Sequence, residues 1–254
     1  MTGSSAAAEE ARAQRTAVVT GAASGIGNAV ARRLVADGAA VVAVDLDRAG
    51  LESLEGASAY VCDLRDPSER ARLVEDVGAV EYLVNAAGII RLAPLDEVEP
   101  GDWDAVMDVN AKSVFFLTQA LGRRMRKGAA VVNVASTAGK TASTVEAAVY
   151  NFSKAAVIAI TKTFAHAWAS RSVRVNCVCP GPTETPMIET VLSDVGRARA
   201  IDPEEVRAAY HRAIPLGRSA RPQEVAAVIR FLLSSEASYM TGQAVNVSGG
   251  LVMY

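Results

Sequence analysis

The sequence predicts an α/β protein built on one doubly wound parallel sheet of about seven strands. Three observations carry that expectation. Short runs rich in Val and Ala alternate with longer amphipathic segments from Thr16 onward. The strand-like runs are continuously apolar rather than alternating, as burial on both faces of a parallel sheet requires. No linker, low-complexity tract or charge block divides the chain, so a single domain is expected over residues 15–254, behind a flexible leader at 1–14.

Taken in order, the expected strands are Ala17–Thr20, Ala40–Val44, Ala59–Cys62, Tyr82–Asn85, Ala130–Val134, Val173–Val178 and Ala244–Asn246. Helical patterns fall between them, at Gly25–Asp37, Pro67–Val77, Asp102–Arg126, Tyr150–Ser170 and Pro222–Leu233. In the first helix Ile26, Val30 and Leu34 recur at i, i+4 and i+8 and make one apolar face. One stretch breaks the rhythm. Between Gly181 and Leu216 there is no convincing strand, only prolines, threonines and a helical pattern near Glu204–His211. Open α/β sheets bind ligands beyond the carboxyl ends of their strands, and this insertion leaves from such an end. It is expected to form a substrate lid near 182–215.

Composition removes several function classes. The 254 residues are half hydrophobic, and 26 Lys plus Arg against 28 Asp plus Glu give a net charge of −2. Without a basic patch, electrostatic nucleic-acid binding is not expected. The longest apolar stretches, such as Ala39–Val44 and Ala155–Ile160, are far shorter than the roughly 18 to 20 residues a bilayer requires. No secretory pattern is visible. The three cysteines, Cys62, Cys177 and Cys179, are odd in number, and His166 and His211 stand apart from them. Reduced, buried thiols in a cytoplasmic protein without a metal site are therefore expected.

Thr20-Gly21-Ala22-Ala23-Ser24-Gly25-Ile26-Gly27 follows the first strand and opens the first helix. Glycines there let the backbone turn sharply and approach a pyrophosphate, while the helix end offers unpaired N–H groups and a positive dipole. Asp45 ends the second strand, where its carboxylate can accept from ribose hydroxyls and would repel a 2′-phosphate. The turn holds no Arg or Lys, and Arg48 is the one nearby cation. NAD is expected in preference to NADP.

Tyr150 and Lys154 stand four apart at the start of a helix and so share one face. A phenol titrates near pKa ~10, and a neighbouring ammonium is expected to lower it and make Tyr150 a usable proton carrier.

Together, Thr20–Gly27, Asn85-Ala86-Ala87-Gly88, Asn110, Ser136, Tyr150-x-x-x-Lys154, Pro180-Gly181 and the ending Gly242-Gln243…Val247-Ser248-Gly249-Gly250 closely resemble the short-chain dehydrogenase/reductase family. The resemblance spans residues 15–250 and implies a Rossmann-like fold. It implies that Tyr150 exchanges a proton with the substrate oxygen and that Ser136 stabilises charge on that oxygen. Lys154 would tune Tyr150 and hold the nicotinamide ribose, and Asn110 would steady Lys154 through a water. Asp63 would meet the adenine amino group, Asn85 the ribose region, and Thr183 with Thr185 the nicotinamide and phosphate side. The same resemblance extends the cofactor contacts to Gly21, Ser24, Gly25, Ile26, Gly27, Leu46, Leu64, Ala86, Gly88, Pro180 and Gly181.

Ser136 stands fourteen positions before Tyr150, one more than is usual in that family. An extra residue in the Gly139–Ala148 loop accounts for this, with Ser143 as the competing serine. The expected reaction is NAD-dependent interconversion of a secondary alcohol and a ketone. A small polyol, sugar or cyclic alcohol is the expected substrate. Glu146 is either an acceptor for its hydroxyls or a solvated loop carboxylate, a choice the sequence leaves open. A 3-oxoacyl thioester reductase is the alternative. A non-catalytic NAD-binding sensor, or a scaffold, is the alternative from another class. The family usually forms a dimer of dimers, and the apolar long helices and the ending Leu251-Val252-Met253-Tyr254 suit a homotetramer.

Overall fold

The computed structural model describes residues 15–141 and 144–254. The leader at 1–14 and Ser143 lie outside that range. Seven strands form one fully parallel sheet in the order β3-β2-β1-β4-β5-β6-β7. They are β1 (Thr16–Thr20), β2 (Ala40–Asp45), β3 (Ala57–Val61), β4 (Tyr82–Asn85), β5 (Ala130–Val134), β6 (Arg174–Pro180) and β7 (Ala244–Val247). The chain winds outward from β1 to β3, then returns to place β4 on the other side of β1. That reversal opens a crevice at the carboxyl ends of β1 and β4, the usual ligand position in such sheets.

Successive residues along each central strand explain the continuous apolar runs. Val18, Leu83 and Val131 pack on one face, with Leu73, Leu117, Leu121 and Phe164. Their neighbours Val19, Val84 and Val132 pack on the other, with Val30, Leu34, Ile229 and Leu232. Each such fully buried side chain contributes about 1.5–3 kcal/mol.

The helices on these faces are α1 (Gly25–Ala36), the short α2 (Arg48–Glu52), α3 (Pro67–Val77), α4 (Pro100–Met107), α5 (Ser113–Arg124), α6 (Ala148–Trp168) and α9 (Pro222–Leu233). The long helix expected over Asp102–Arg126 is interrupted. A π-helical turn at Asp108–Lys112 separates α4 from α5, and Asn110, fully buried, sits inside it. Its bonds to a neighbouring loop, described below, hold the bulge in place.

The irregular insertion is more ordered than its sequence pattern suggested. It contains two helices, α7 (Pro186–Arg199) and α8 (Pro203–Ala213). They close on each other through Val191, Leu192, Val195 and Val206, with Ile90 and Leu92 from the loop after β4 packed alongside. Proline stands at the first turn of both, where its missing N–H costs nothing. Thr185-Pro186 is the local start signal for α7. Cys62, Cys177 and Cys179 are free and buried. Among the described residues no helix is long and apolar enough to cross a membrane.

Candidate active site

A cavity of about 690 Å³ runs along the carboxyl ends of the strands. The glycine turn forms one end of it. Gly21 and Gly25 adopt left-handed φ values of 66° and 56°, a region open to glycine and strained for other residues. A Cβ on Gly21 would lie 2.7 Å from the Ala87 backbone, and one on Gly27 would collide with the Gly21 carbonyl. The turn is thus folded onto both the β4 loop and itself. Thr20 Oγ1 completes the junction by accepting from Ala86 N and Ala87 N at 3.1 and 3.2 Å.

Asp45 ends β2 at the cavity wall. Its Oδ2 accepts from Ala23 N at 3.0 Å, and its Oδ1 from Leu46 N and Asp47 N at 2.7 and 3.2 Å. The carboxylate is thereby fixed in one orientation beside the turn. Arg48, expected as the one cation nearby, instead reaches Glu52 at 3.7 Å on the surface. Asp63 also lines the cavity, but Arg65 grips both its oxygens at 2.7–3.1 Å. Those bonds hold the Asp63 carboxyl below its ordinary pKa. Arg65 belongs to the cavity wall as well and was not expected there.

Ser136, Tyr150 and Lys154 meet further along the cavity. Ser136 follows β5 and caps a short 3₁₀ turn, its Oγ accepting from Ala138 N at 3.1 Å. That turn is pressed against α6, where a Cβ on Gly139 would lie 2.6 Å from the Lys154 backbone. Tyr150 and Lys154 occupy the first turns of α6, with Lys154 Nζ 5.5 Å from the phenol ring centre. Lys154 Nζ donates to Val134 O at 2.8 Å, and its burial lowers the ammonium to about 8. The expected depression of Tyr150 is not what the protein groups produce. Burial raises the phenol, while hydrogen bonding with Ser136 pulls the other way. For both groups desolvation is the largest cause of the shift, since burial penalises the charged form.

Asn110 does not reach the cavity lining. Its Oδ1 accepts from Ile89 N at 2.8 Å, and its Nδ2 donates to Ile89 O at 2.9 Å and Ser153 Oγ at 3.0 Å. Ser153 Oγ donates in turn to Tyr150 O at 2.7 Å. Asn110 therefore ties the β4 loop to the first turn of α6. Asn85 is not among the residues lining the cavity. Its amide donates to Thr118 Oγ1 at 3.0 Å and Asn133 Oδ1 at 2.8 Å. Asn133 Nδ2 then donates to Thr161 Oγ1 at 2.9 Å. All four residues are buried, and a buried amide must spend its donors on such partners. Glu146 is absent from the lining and pairs with Arg199 at 2.8 Å.

The remaining predicted residues line the cavity together: Gly21, Ser24, Gly25, Ile26, Gly27, Asp45, Leu46, Asp63, Leu64, Ala86, Gly88, Pro180, Gly181, Thr183 and Thr185. Beyond Tyr150, Ile90, Ala147, Met187, Ile188, Val191, Ala213 and Leu251 make an apolar wall interrupted by Thr144, Asn151 and Tyr210. Asn151 was adjacent to a named residue and could have been found. Leu251 and Val191 carry no local signal.

The glycine turn, the fixed Asp45 and the Ser136–Tyr150–Lys154 cluster on one Rossmann-like sheet place the chain in the short-chain dehydrogenase/reductase family, to which it belongs. The family model described as Enoyl-(Acyl carrier protein) reductase matches residues 21–252. Among its relatives, the 3-oxoacyl-(acyl-carrier-protein) reductase FabG of Thermotoga maritima is 41% identical over 253 residues, covering 94% of this chain and 98% of the relative. The D-threitol dehydrogenase of Mycolicibacterium smegmatis is 36% identical over 250 residues, covering 93% and 92%. Among solved structures, a variant of the actinorhodin polyketide ketoreductase with NADPH aligns with a TM-score of 0.87 at 34% identity, covering 95% of this chain and 98% of that one. The chain is an oxidoreductase of this family.

Proposed function

We propose that this protein interconverts a secondary alcohol and a ketone, with NAD as its nicotinamide cofactor. The single observation that carries the reaction is the convergence of Ser136, Tyr150 and Lys154 on the cavity that also contains the glycine turn. The turn suits a dinucleotide, since its close backbone approach leaves no space for side chains and the α1 N-terminus follows it. Gly21, Gly25, Gly27, Asp45, Thr183, Thr185 and Lys154 would hold that cofactor. When bound, it supplies or accepts the hydride.

The chain's own groups handle the proton and the developing charge. Tyr150 Oη gives its proton to the substrate oxygen during reduction and takes it back during oxidation. Ser136 Oγ–H donates to the same oxygen and stabilises it as charge grows. Lys154, positively charged below about pH 8, offsets the phenolate that proton donation leaves behind. Asn110, through Ser153, keeps the turn carrying Tyr150 in register with the β4 loop. Helices α7 and α8 form the lid over the substrate end.

Asp45 supports NAD, because a carboxylate locked by three backbone N–H groups cannot swing away from a 2′-phosphate. The apolar wall beyond Tyr150 favours a substrate with a hydrocarbon portion, such as a 3-oxoacyl or 3-hydroxyacyl thioester. Thr144, Asn151 and Tyr210 keep a second reading open, a small polyol or sugar, a class that the similarity to a D-threitol dehydrogenase also suits. Exposed Trp103, Phe116 and Phe152 on the α4–α6 side, with Tyr239, Met253 and Tyr254 elsewhere, support a homotetramer.

Turnover of an alcohol, ketone and acyl-thioester panel with NAD(H) and NADP(H) tests this reading. Tyr150→Phe is expected to lower kcat by about 10²–10⁴-fold while calorimetric NAD affinity is retained. Unchanged kcat in that variant would overturn the mechanism, and a preference for NADP would overturn the cofactor assignment.

A further inference from the structure

Apolar packing against Ile90 and Leu92 joins the lid to the loop after β4, and charged contacts add to it. Within the lid, Arg207 bridges Glu189 and Glu204, and Arg197 meets Asp194. Among the described residues, the only ion pair that leaves α7 and α8 is Arg199 with Glu146, Nη2 at 2.8 Å and Nε at 3.3 Å from the same oxygen, Oε1. Arg199 is the last residue of α7. Glu146 lies in a 3₁₀ turn immediately before α6, four residues ahead of Tyr150.

Glu146 is fastened on a second side as well. Its backbone O accepts from Ala93 N at 2.9 Å, which ties in the loop after β4. Asn151 Nδ2 donates to Thr144 O at 3.0 Å and pins the same turn to α6. Its neighbours Thr144 and Ala147 form part of the cavity wall, and Ile188 and Val191 of α7 form another part. The other carboxylate oxygen, Glu146 Oε2, is buried without a hydrogen-bond partner. A partly buried carboxylate with one unpaired oxygen depends on its guanidinium, and removing that partner leaves the charge uncompensated.

We propose that Glu146 and Arg199 form the clasp that sets the distance between the lid and the catalytic helix, making both positioning residues for the substrate wall. This rests on the substrate reading of the α7–α8 side of the cavity. The clasp acts on substrate entry and product exit, since neither side chain reaches Ser136, Tyr150 or the glycine turn. Because Arg199 is half exposed, with side-chain exposure of 51%, the expected effects are several-fold and not orders of magnitude. Losing Arg199 strands a charge, whereas losing the charge of Glu146 does not. R199Q should therefore loosen the lid more than E146Q.

Hydrogen exchange measured together with steady-state kinetics tests the clasp in the full-length protein. In E146Q, amide exchange across Ile188–Arg199 should rise about fivefold, and further in R199Q, with Val149–Trp168 unchanged. The double variant strands no charge, so it should resemble E146Q rather than R199Q or the sum of the two. Substrate KM should rise in parallel, with NAD KM and the isotope effect of a deuterated alcohol unchanged. Parent-like exchange over α7 in both single variants would overturn the clasp. Absence of any turnover in the parent would overturn the proposed reaction instead, and the exchange data would still decide the clasp.

Discussion

The two halves of the cavity are built from different materials. At the glycine turn the wall is backbone: Gly21 and Gly27 approach other main chain directly, and Asp45 is locked by three N–H groups. At the α7–α8 end the wall is side chain: Ile188, Val191, Tyr210 and Leu251, steadied by a half-exposed ion pair. Backbone contacts tolerate almost no change in residue type, whereas apolar side chains can be exchanged for others of similar volume. On the proposed function, one half would hold a constant ligand rigidly, and the other could be refitted to different substrates while the chemistry beside it stays in place.

That contrast can be broken most decisively at the turn. Gly27→Ala drives a Cβ into the Gly21 carbonyl, and overpacking of this kind costs about 1–3 kcal/mol. We expect a lower melting temperature and loss of dinucleotide binding by calorimetry. Val191→Ala or a comparable change in the opposite wall would leave that binding intact.

A smaller effect sharpens the cofactor end. Asp45→Ser removes a fixed charge while keeping a hydroxyl acceptor. The ratio of kcat/KM for NAD over NADP should fall about tenfold, in line with the worth of a charged hydrogen bond. An unchanged ratio would move cofactor discrimination elsewhere.

The smallest effect is expected from pH, at the boundary between the halves. Lys154 is depressed to about 8 by burial, so it is charged below that pH and neutral above it. On the proposed mechanism, ketone reduction would leave a phenolate on Tyr150 that the ammonium offsets. The rate of reduction should therefore hold below pH 8, halve near it, and decline above. A profile flat through pH 9 would separate Lys154 from the proton step.

Much of this molecule was legible because its signals are local. Strands such as Tyr82–Asn85 and Ala130–Val134 have the predicted bounds, since burial on both faces leaves a continuous apolar run that nothing else mimics. The glycine turn, Asp45 and Tyr150 with Lys154 were legible because spacing within one turn or one strand–helix junction determines which groups converge. The surroundings of Asn85 and Glu146 were not legible, for the opposite reason. An Asn at a strand end suits either a ligand or a neighbouring strand, and only the register that sets Asn85 opposite Asn133 decides which. A loop carboxylate likewise has no local indication that Arg199, 53 residues away, will reach it. The pKa of Tyr150 was misread because spacing reports neighbours and not solvent.

By itself, then, the sequence determined the winding of the sheet, the position of the glycine turn and the family whose resemblance implies roles for Ser136, Tyr150 and Lys154. The first two follow from periodicity and local chemistry, and the third from short motifs read together. Tertiary structure alone decided the π-turn at Asn110, the apolar wall contributed by α7 and Leu251, and the closure of Arg199 on Glu146. Those features join segments far apart in the chain, and their energies exist only once burial and three-dimensional proximity have been established.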